Sequence, residues 1–95
     1  MSADMILQLE KIIADRKANP QAGSYTNKLF EDGINKIAQK VGEEAVEVIV
    51  SSLGQTRDLQ IGELSDLFYH ILVLMSQLSI SLDDVGVELA RRHQK

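Results

Sequence analysis

From Ile61 to Leu78 the chain reads as one apolar helix with a narrow polar sector, and this stretch limits the possible folds more than any other. At about 100° per residue, Ile61, Leu64, Leu67, Phe68, Ile71, Leu72, Leu74, Met75 and Leu78 span an arc of about 160°, with Val73 on the far side. A helix with so little charge around it belongs at the centre of an assembly of helices. Its strongly polar positions, Glu63, Asp66, His70 and Gln77, gather in a sector of about 60°. A carboxylate pair on a central helix is costly to desolvate unless it is paired or binds a cation. A merely solvated sector is usually wider and richer in lysine. Glu63 and Asp66 therefore read as metal or substrate ligands. His70, one turn after Asp66, reads as a satisfied histidine hydrogen-bonded to Asp66.

The preceding helical stretch, Ile34 to Leu53, carries a matching set. Ile34, Ile37, Ala38, Val41, Ala45, Val48 and Ile49 share an arc of about 120°, and Lys36, Lys40, Glu43, Glu44 and Glu47 share a separate arc of about 100°. Taken alone, the charged stripe reads equally well as a solvated face with i,i+4 pairs such as Lys40–Glu44. Only fifteen residues separate Glu47 from Glu63. So short a connection lets the two helices face each other and brings the carboxylates together. Converging carboxylates repel, and a hard divalent cation with oxygen ligands relieves the repulsion. The carboxylate-bridged di-iron bundle needs Glu-x-x-His pairs, and the sequence has none.

The remaining segments are helical as well. Met5, Ile6, Leu9, Ile12 and Ile13 mark a first helix over about residues 3 to 18. After the breaker cluster Asn19-Pro20-Gln21-Ala22-Gly23, Ser24 or Thr26 caps a short helix that Gly33 ends or bends. Thr56 or Asp58 caps the apolar helix, and Ser81-Leu82-Asp83-Asp84 opens a short last one. No segment alternates with period two. The expectation is one all-α domain over residues 1–95, a bundle of four to five helices with short connections. A chain of 95 residues buries a modest fraction of its surface, and its only aromatic rings besides histidine are two tyrosines and two phenylalanines. Self-association, as a homodimer or larger, is expected to supply the missing burial. The absence of cysteine excludes disulfides and thiolate metal sites. A net charge of −4 weighs against a nucleic-acid partner. No signal peptide and no apolar run of about 18–20 residues is present, so the expected location is the cytoplasm, without membrane contact.

Glu43-Glu44-x-x-Glu47 followed by Glu63-x-x-Asp66 resembles the E-E-x-x-E…E-x-x-D pattern of the MazG-like all-α nucleotide pyrophosphatases. The surrounding words are more specific. Ser24-Tyr25-Thr26, Leu29-Phe30, Gly33-Ile34-Asn35-Lys36-Ile37, Lys40-Val41-Gly42-Glu43-Glu44-Ala45, Asp66-Leu67-Phe68-Tyr69-His70 and Arg91-Arg92-His93 are similar to the phosphoribosyl-ATP pyrophosphatases. The likeness runs over essentially the whole chain. Ser65 stands where that family usually has alanine, a small-for-small change.

The resemblance implies a MazG-like helical bundle assembled as an oligomer, and Mg²⁺-dependent hydrolysis of phosphoribosyl-ATP to phosphoribosyl-AMP and pyrophosphate in histidine biosynthesis. Cleaving a phosphoanhydride needs a cation for the polyphosphate charge and a water placed for in-line attack. The expected metal ligands are Glu44, Glu47, Glu63 and Asp66. Glu43, or a free oxygen of a ligand such as Glu47, takes the proton of the attacking water. Lys36 and Lys40 meet phosphate. Arg16, Lys28, Arg91 and Arg92 are further phosphate candidates, although surface basic residues are usually only solvated. Ser24 and Thr26 contact substrate or cap the helix, with capping favoured. Two alternatives remain: a MazG-like pyrophosphatase of other nucleoside triphosphates, separated by comparing substrates, and a non-catalytic helical interaction module, separated by testing for metal-dependent pyrophosphate release.

Overall fold

Five helices follow one another in a computed structural model that describes residues 2–94: α1 (Asp4–Ala18), α2 (Tyr25–Asp32), α3 (Ile34–Ser52), α4 (Arg57–Gln77) and α5 (Leu82–Arg92). The ends of the expected domain, Met1 and Lys95, lie outside the described residues. No strand is present among the described residues, and the class is all-α.

The helix boundaries follow the chemistry of their caps. Ser24 accepts a hydrogen bond from the Asn27 N–H, Thr56 from Leu59 N–H, and Ser81 from Asp84 N–H. At Ser81 the Asp84 carboxylate reciprocates to the Ser81 N–H at 2.9 Å, closing a capping box. Each such cap stabilises its helix by about 1 kcal/mol. Gly33 separates α2 from α3 with φ 92° and ψ −177°, a backbone state open in practice only to glycine. There its N–H still bonds to Leu29 and its carbonyl accepts from Ile37, so the chain changes direction without losing a backbone bond. At the end of α4, Ser79 takes φ 58°, and the Ile80 N–H reaches back to the Met75 carbonyl at 2.9 Å. This is a Schellman stop with serine where glycine is usual.

α3 and α4 form the most extensive helix pair, and α1 and α2 close over it. Among the described residues the buried apolar side chains are Ile13, Leu29, Ile37, Leu72 and Val73, with Ile6, Leu9, Phe30 and Met75 packed around them. Burying a side chain of this size contributes about 1.5–3 kcal/mol, so five make a small core. Asn27 is buried with it and holds the loop before α2: it accepts from the Gln21 N–H at 2.9 Å and donates to the Arg16 carbonyl at 2.6 Å.

The packing face of α4 differs from the one its periodicity suggests. Val73, placed on the far side by the helical arithmetic, is fully buried, and His70 is buried beside it. Ile61, Leu64, Phe68 and Leu78 are instead 43–51% exposed. The polar sector, continued by Val73, is therefore turned inward, with Glu63 and Asp66 meeting Glu44 of α3 and His70 meeting Tyr25 of α2, and only part of the apolar arc, around Leu72 and Met75, lies against α1. Ile49, expected on the packing face of α3, is likewise 60% exposed. One small chain cannot cover apolar arcs this wide.

α5 stands apart. It leaves α4 at 102° and buries none of its own residues. It is tied to the bundle by Leu82, which packs against the core and donates its N–H to the Glu10 carboxylate at 2.7 Å. Among the described residues no single helix is long and apolar enough to cross a membrane.

Candidate active site

Helical spacing places Lys40, Glu43 and Glu44 on adjoining positions of α3, and Glu63 and Asp66 on one face of α4. The α3–α4 packing then joins the two sets. One carboxylate oxygen each from Glu44, Glu63 and Asp66 lies within 4.8 Å of the others. Glu44 is the most enclosed of the charged side chains on the stripe, 14% exposed. Burial, then the neighbouring Glu47, Asp66 and Glu44, push the Glu63 carboxyl above its usual range. The electrostatics therefore put Glu47 beside the group as a fourth acid.

Lys40 borders the cluster. Its ammonium lies 3.3 Å from Glu43 and 3.6 Å from Glu44. The hydrogen bond to Glu43 raises its pKa, burial opposes this, and the nearby Tyr25, Glu43 and Glu44 add to the rise. Glu43 is not one of the three converging carboxylates: one of its oxygens accepts from the Gln39 amide at 2.8 Å and the other meets Lys40. Those two partners hold its carboxyl below the usual range.

Oxygen donors of this kind, with a lysine at the rim, suit a hard cation and a phosphate chain. Residues 6–93 match the family described as phosphoribosyl-ATP pyrophosphohydrolase. The chain belongs to this family. It is thus a hydrolase. It is 47% identical over 92 residues to the phosphoribosyl-ATP pyrophosphatase of Clostridium acetobutylicum, covering 97% of this chain and 84% of that one. The phosphoribosyl-ATP pyrophosphatase of Pyrobaculum aerophilum is also 47% identical, over 97% of this chain and 98% of its own. The histidine biosynthesis bifunctional protein of Caldanaerobacter subterraneus is 48% identical over 92 residues, and the chain spans 45% of its length.

Within this pyrophosphohydrolase fold the other residues singled out in the sequence are distributed unevenly. Ser24 is the α2 cap, whereas Thr26 lies inside α2 and hydrogen-bonds the Tyr69 hydroxyl. Lys36 is exposed on α3, near enough that its charge helps keep Glu43 acidic. Arg16 pairs with Asp15 at 3.5 Å and Lys28 with Asp32 at 3.8 Å, both on their own helices. Arg91 and Arg92 both bind Glu88 on α5. His70 bonds to the main-chain carbonyl of Asp66 at 2.7 Å, so the Asp66 carboxylate is left to the acidic group.

Sequence reasoning missed the aromatic cluster next to this group. Tyr25 stacks on Tyr69 with centroids 6.2 Å apart, and both rings meet the His70 ring edge-on. The Ser24-Tyr25-Thr26 and Tyr69-His70 words were visible, but their pairing across 45 residues was not.

Proposed function

We propose that this chain hydrolyses phosphoribosyl-ATP to phosphoribosyl-AMP and pyrophosphate, a step of histidine biosynthesis, and that Glu44, Glu47, Glu63 and Asp66 hold the Mg²⁺ it uses. Family membership supports the reaction. The observation that carries the metal assignment is the meeting of the Glu44, Glu63 and Asp66 oxygens within 4.8 Å. Mg²⁺ is held by carboxylate oxygens and keeps water and phosphate oxygens in its remaining positions, chemistry that this donor set supplies. When bound, the ion offsets the polyphosphate charge during in-line displacement.

The chain's own residues do the rest. Lys40 exchanges Glu43 and Glu44 for phosphate oxygens, and Lys36 adds positive charge on the same stripe. Glu47 is better placed than Glu43 to take the proton of the attacking water, because its charge acts on Glu63 within the carboxylate group while Glu43 lies outside that group and accepts from Gln39. A cytoplasmic location accompanies this reading.

A second copy of the chain completes the particle. A groove of about 380 Å³ between α1 and α4 is lined by Met5, Ile6, Leu9, Ile61, Leu64 and Phe68, among others. α5 leaves Val85 and Leu89 at least 40% exposed. Exposed apolar surface on this scale marks an interface. Basic residues of the second copy then reach the phosphate site.

The deciding assay measures pyrophosphate release from phosphoribosyl-ATP with Mg²⁺ and after chelation, beside a panel of nucleoside triphosphates. Fast, Mg²⁺-dependent release from phosphoribosyl-ATP alone is expected. Undiminished release after chelation rules out the metal assignment, and preference for an ordinary triphosphate rules out the substrate.

A further inference from the structure

His70 is buried, and its two hydrogen-bond partners are both uncharged: Nδ1 lies 2.7 Å from the Asp66 carbonyl and Nε2 lies 3.1 Å from the Tyr25 hydroxyl. A carbonyl oxygen only accepts. In the neutral ring the proton therefore sits on Nδ1, and Nε2 accepts the proton of Tyr25. The consequence falls on Tyr25. Its one hydroxyl proton is committed inward, so the outward side of its oxygen offers lone pairs only. The ring cannot easily turn away, because Tyr69 stacks on it and His70 meets its edge. Yet Tyr25 is 49% exposed. Its bond to His70, which in turn holds the Asp66 carbonyl, places it beside the turn of α4 that carries Asp66.

An oxygen fixed as an acceptor has nothing to offer a phosphate chain, whose oxygens are acceptors too. The donor nearest the phosphates in a nucleotide is a hydroxyl of the adjoining ribose. We propose that Tyr25 accepts a hydrogen bond from a hydroxyl of the adenosine ribose of the substrate, and that His70 is the positioning residue that keeps Tyr25 in the acceptor state. The inference rests on the phosphoribosyl-ATP reading above and adds a residue that tells sugar from phosphate. It also ties α2 to the turn of α4 that carries Asp66.

Tyr25→Phe removes the hydroxyl and keeps the stacked ring. Two substrates are compared: phosphoribosyl-ATP, and its analogue lacking the 2′ and 3′ hydroxyls of the adenosine ribose. For the full substrate, Tyr25→Phe should raise KM about tenfold, the order expected for one lost hydrogen bond. The KM of the dideoxy analogue and the inhibition constant of pyrophosphate should stay put. His70→Asn, which keeps a donor for the Asp66 carbonyl, should raise the same KM in the parent and add nothing in the Tyr25→Phe background. If Tyr25→Phe raises both KM values equally, Tyr25 orders the site as a whole and the proposal fails. If it raises neither, the phenol is packing and the proposal fails again. A parent protein that releases no pyrophosphate sinks the hydrolase reading and this inference together, whereas an active parent with unselective variants sinks the inference alone.

Discussion

Asp66→Asn removes one of the four converging charges at nearly constant volume. If the group is built for a cation, the metal-free variant should melt at or above the parent temperature, because a repulsion is gone. Mg²⁺ should then raise the melting temperature of the parent by mass action and that of the variant much less. Pyrophosphate release should nearly vanish. A variant turning over at the parent rate removes Asp66 from the site. Glu63 gives the matching pH dependence. Its folded carboxyl titrates above the unfolded value, so the folded state keeps the proton longer. Stability of the metal-free protein should therefore fall as pH rises from the unfolded value through the folded one. Glu63→Gln should flatten that fall, as denaturant titrations from acid to neutral pH would reveal. Glu43 and Glu88 carry the opposite sign: their depressed values give stability that is present above the unfolded pKa and lost in acid. Lys40→Ala separates chemistry from folding at one position. Its ion pairs are partly solvated, so melting should move by no more than about 1 kcal/mol. Its kcat/KM should drop roughly tenfold or more, since a charge-assisted bond to phosphate is lost.

Two element ends test the backbone account in opposite directions. At Gly33 nothing lies within 4 Å of an added Cβ, so Gly33→Ala isolates the cost of the backbone conformation. It should destabilise the fold by about 1–3 kcal/mol, measured by urea unfolding. Ser79 sits in the left-handed region at the stop of α4, where glycine bears no Cβ penalty. Ser79→Gly should hold or raise stability by up to about 1 kcal/mol. If it instead costs stability, the side chain holds the α4–α5 corner and the backbone argument is wrong there.

Large apolar side chains stand open on several helices at once, among them Ile49 on α3, Ile61 and Phe68 on α4 and Val87 on α5, and contiguous apolar surface of this kind marks an interface. Sedimentation at micromolar concentration should give a dimer or larger, and the melting temperature should rise with protein concentration. Phe68→Glu, on the open face of α4, should shift the particle toward monomer and lower its melting temperature. A parent that sediments as a stable monomer overturns the second-copy proposal.

Helix positions were legible in the chain because their signals are local. Ser24, Thr56 and Ser81 accept the capping bonds that serine and threonine favour, Gly33 breaks the chain where only glycine fits, and the acidic residues on α3 and α4 follow the helical repeat. The convergence of Glu44 with Glu63 and Asp66 was legible as well, since the short connection lets α3 and α4 pack face to face. The inward edge of α4 was not. Periodicity ranks faces by hydrophobicity alone, and by that measure Val73 lay on the wrong side. The tertiary structure turned the edge bearing Asp66, His70 and Val73 inward, with Asp66 toward α3 and His70 toward α2, which brings the carboxylates together and leaves Ile61, Leu64 and Phe68 outside. The Tyr25–His70 bond belongs to the same class of fact. Its two residues lie 45 positions apart, and no local pattern records which hydroxyl meets which ring nitrogen.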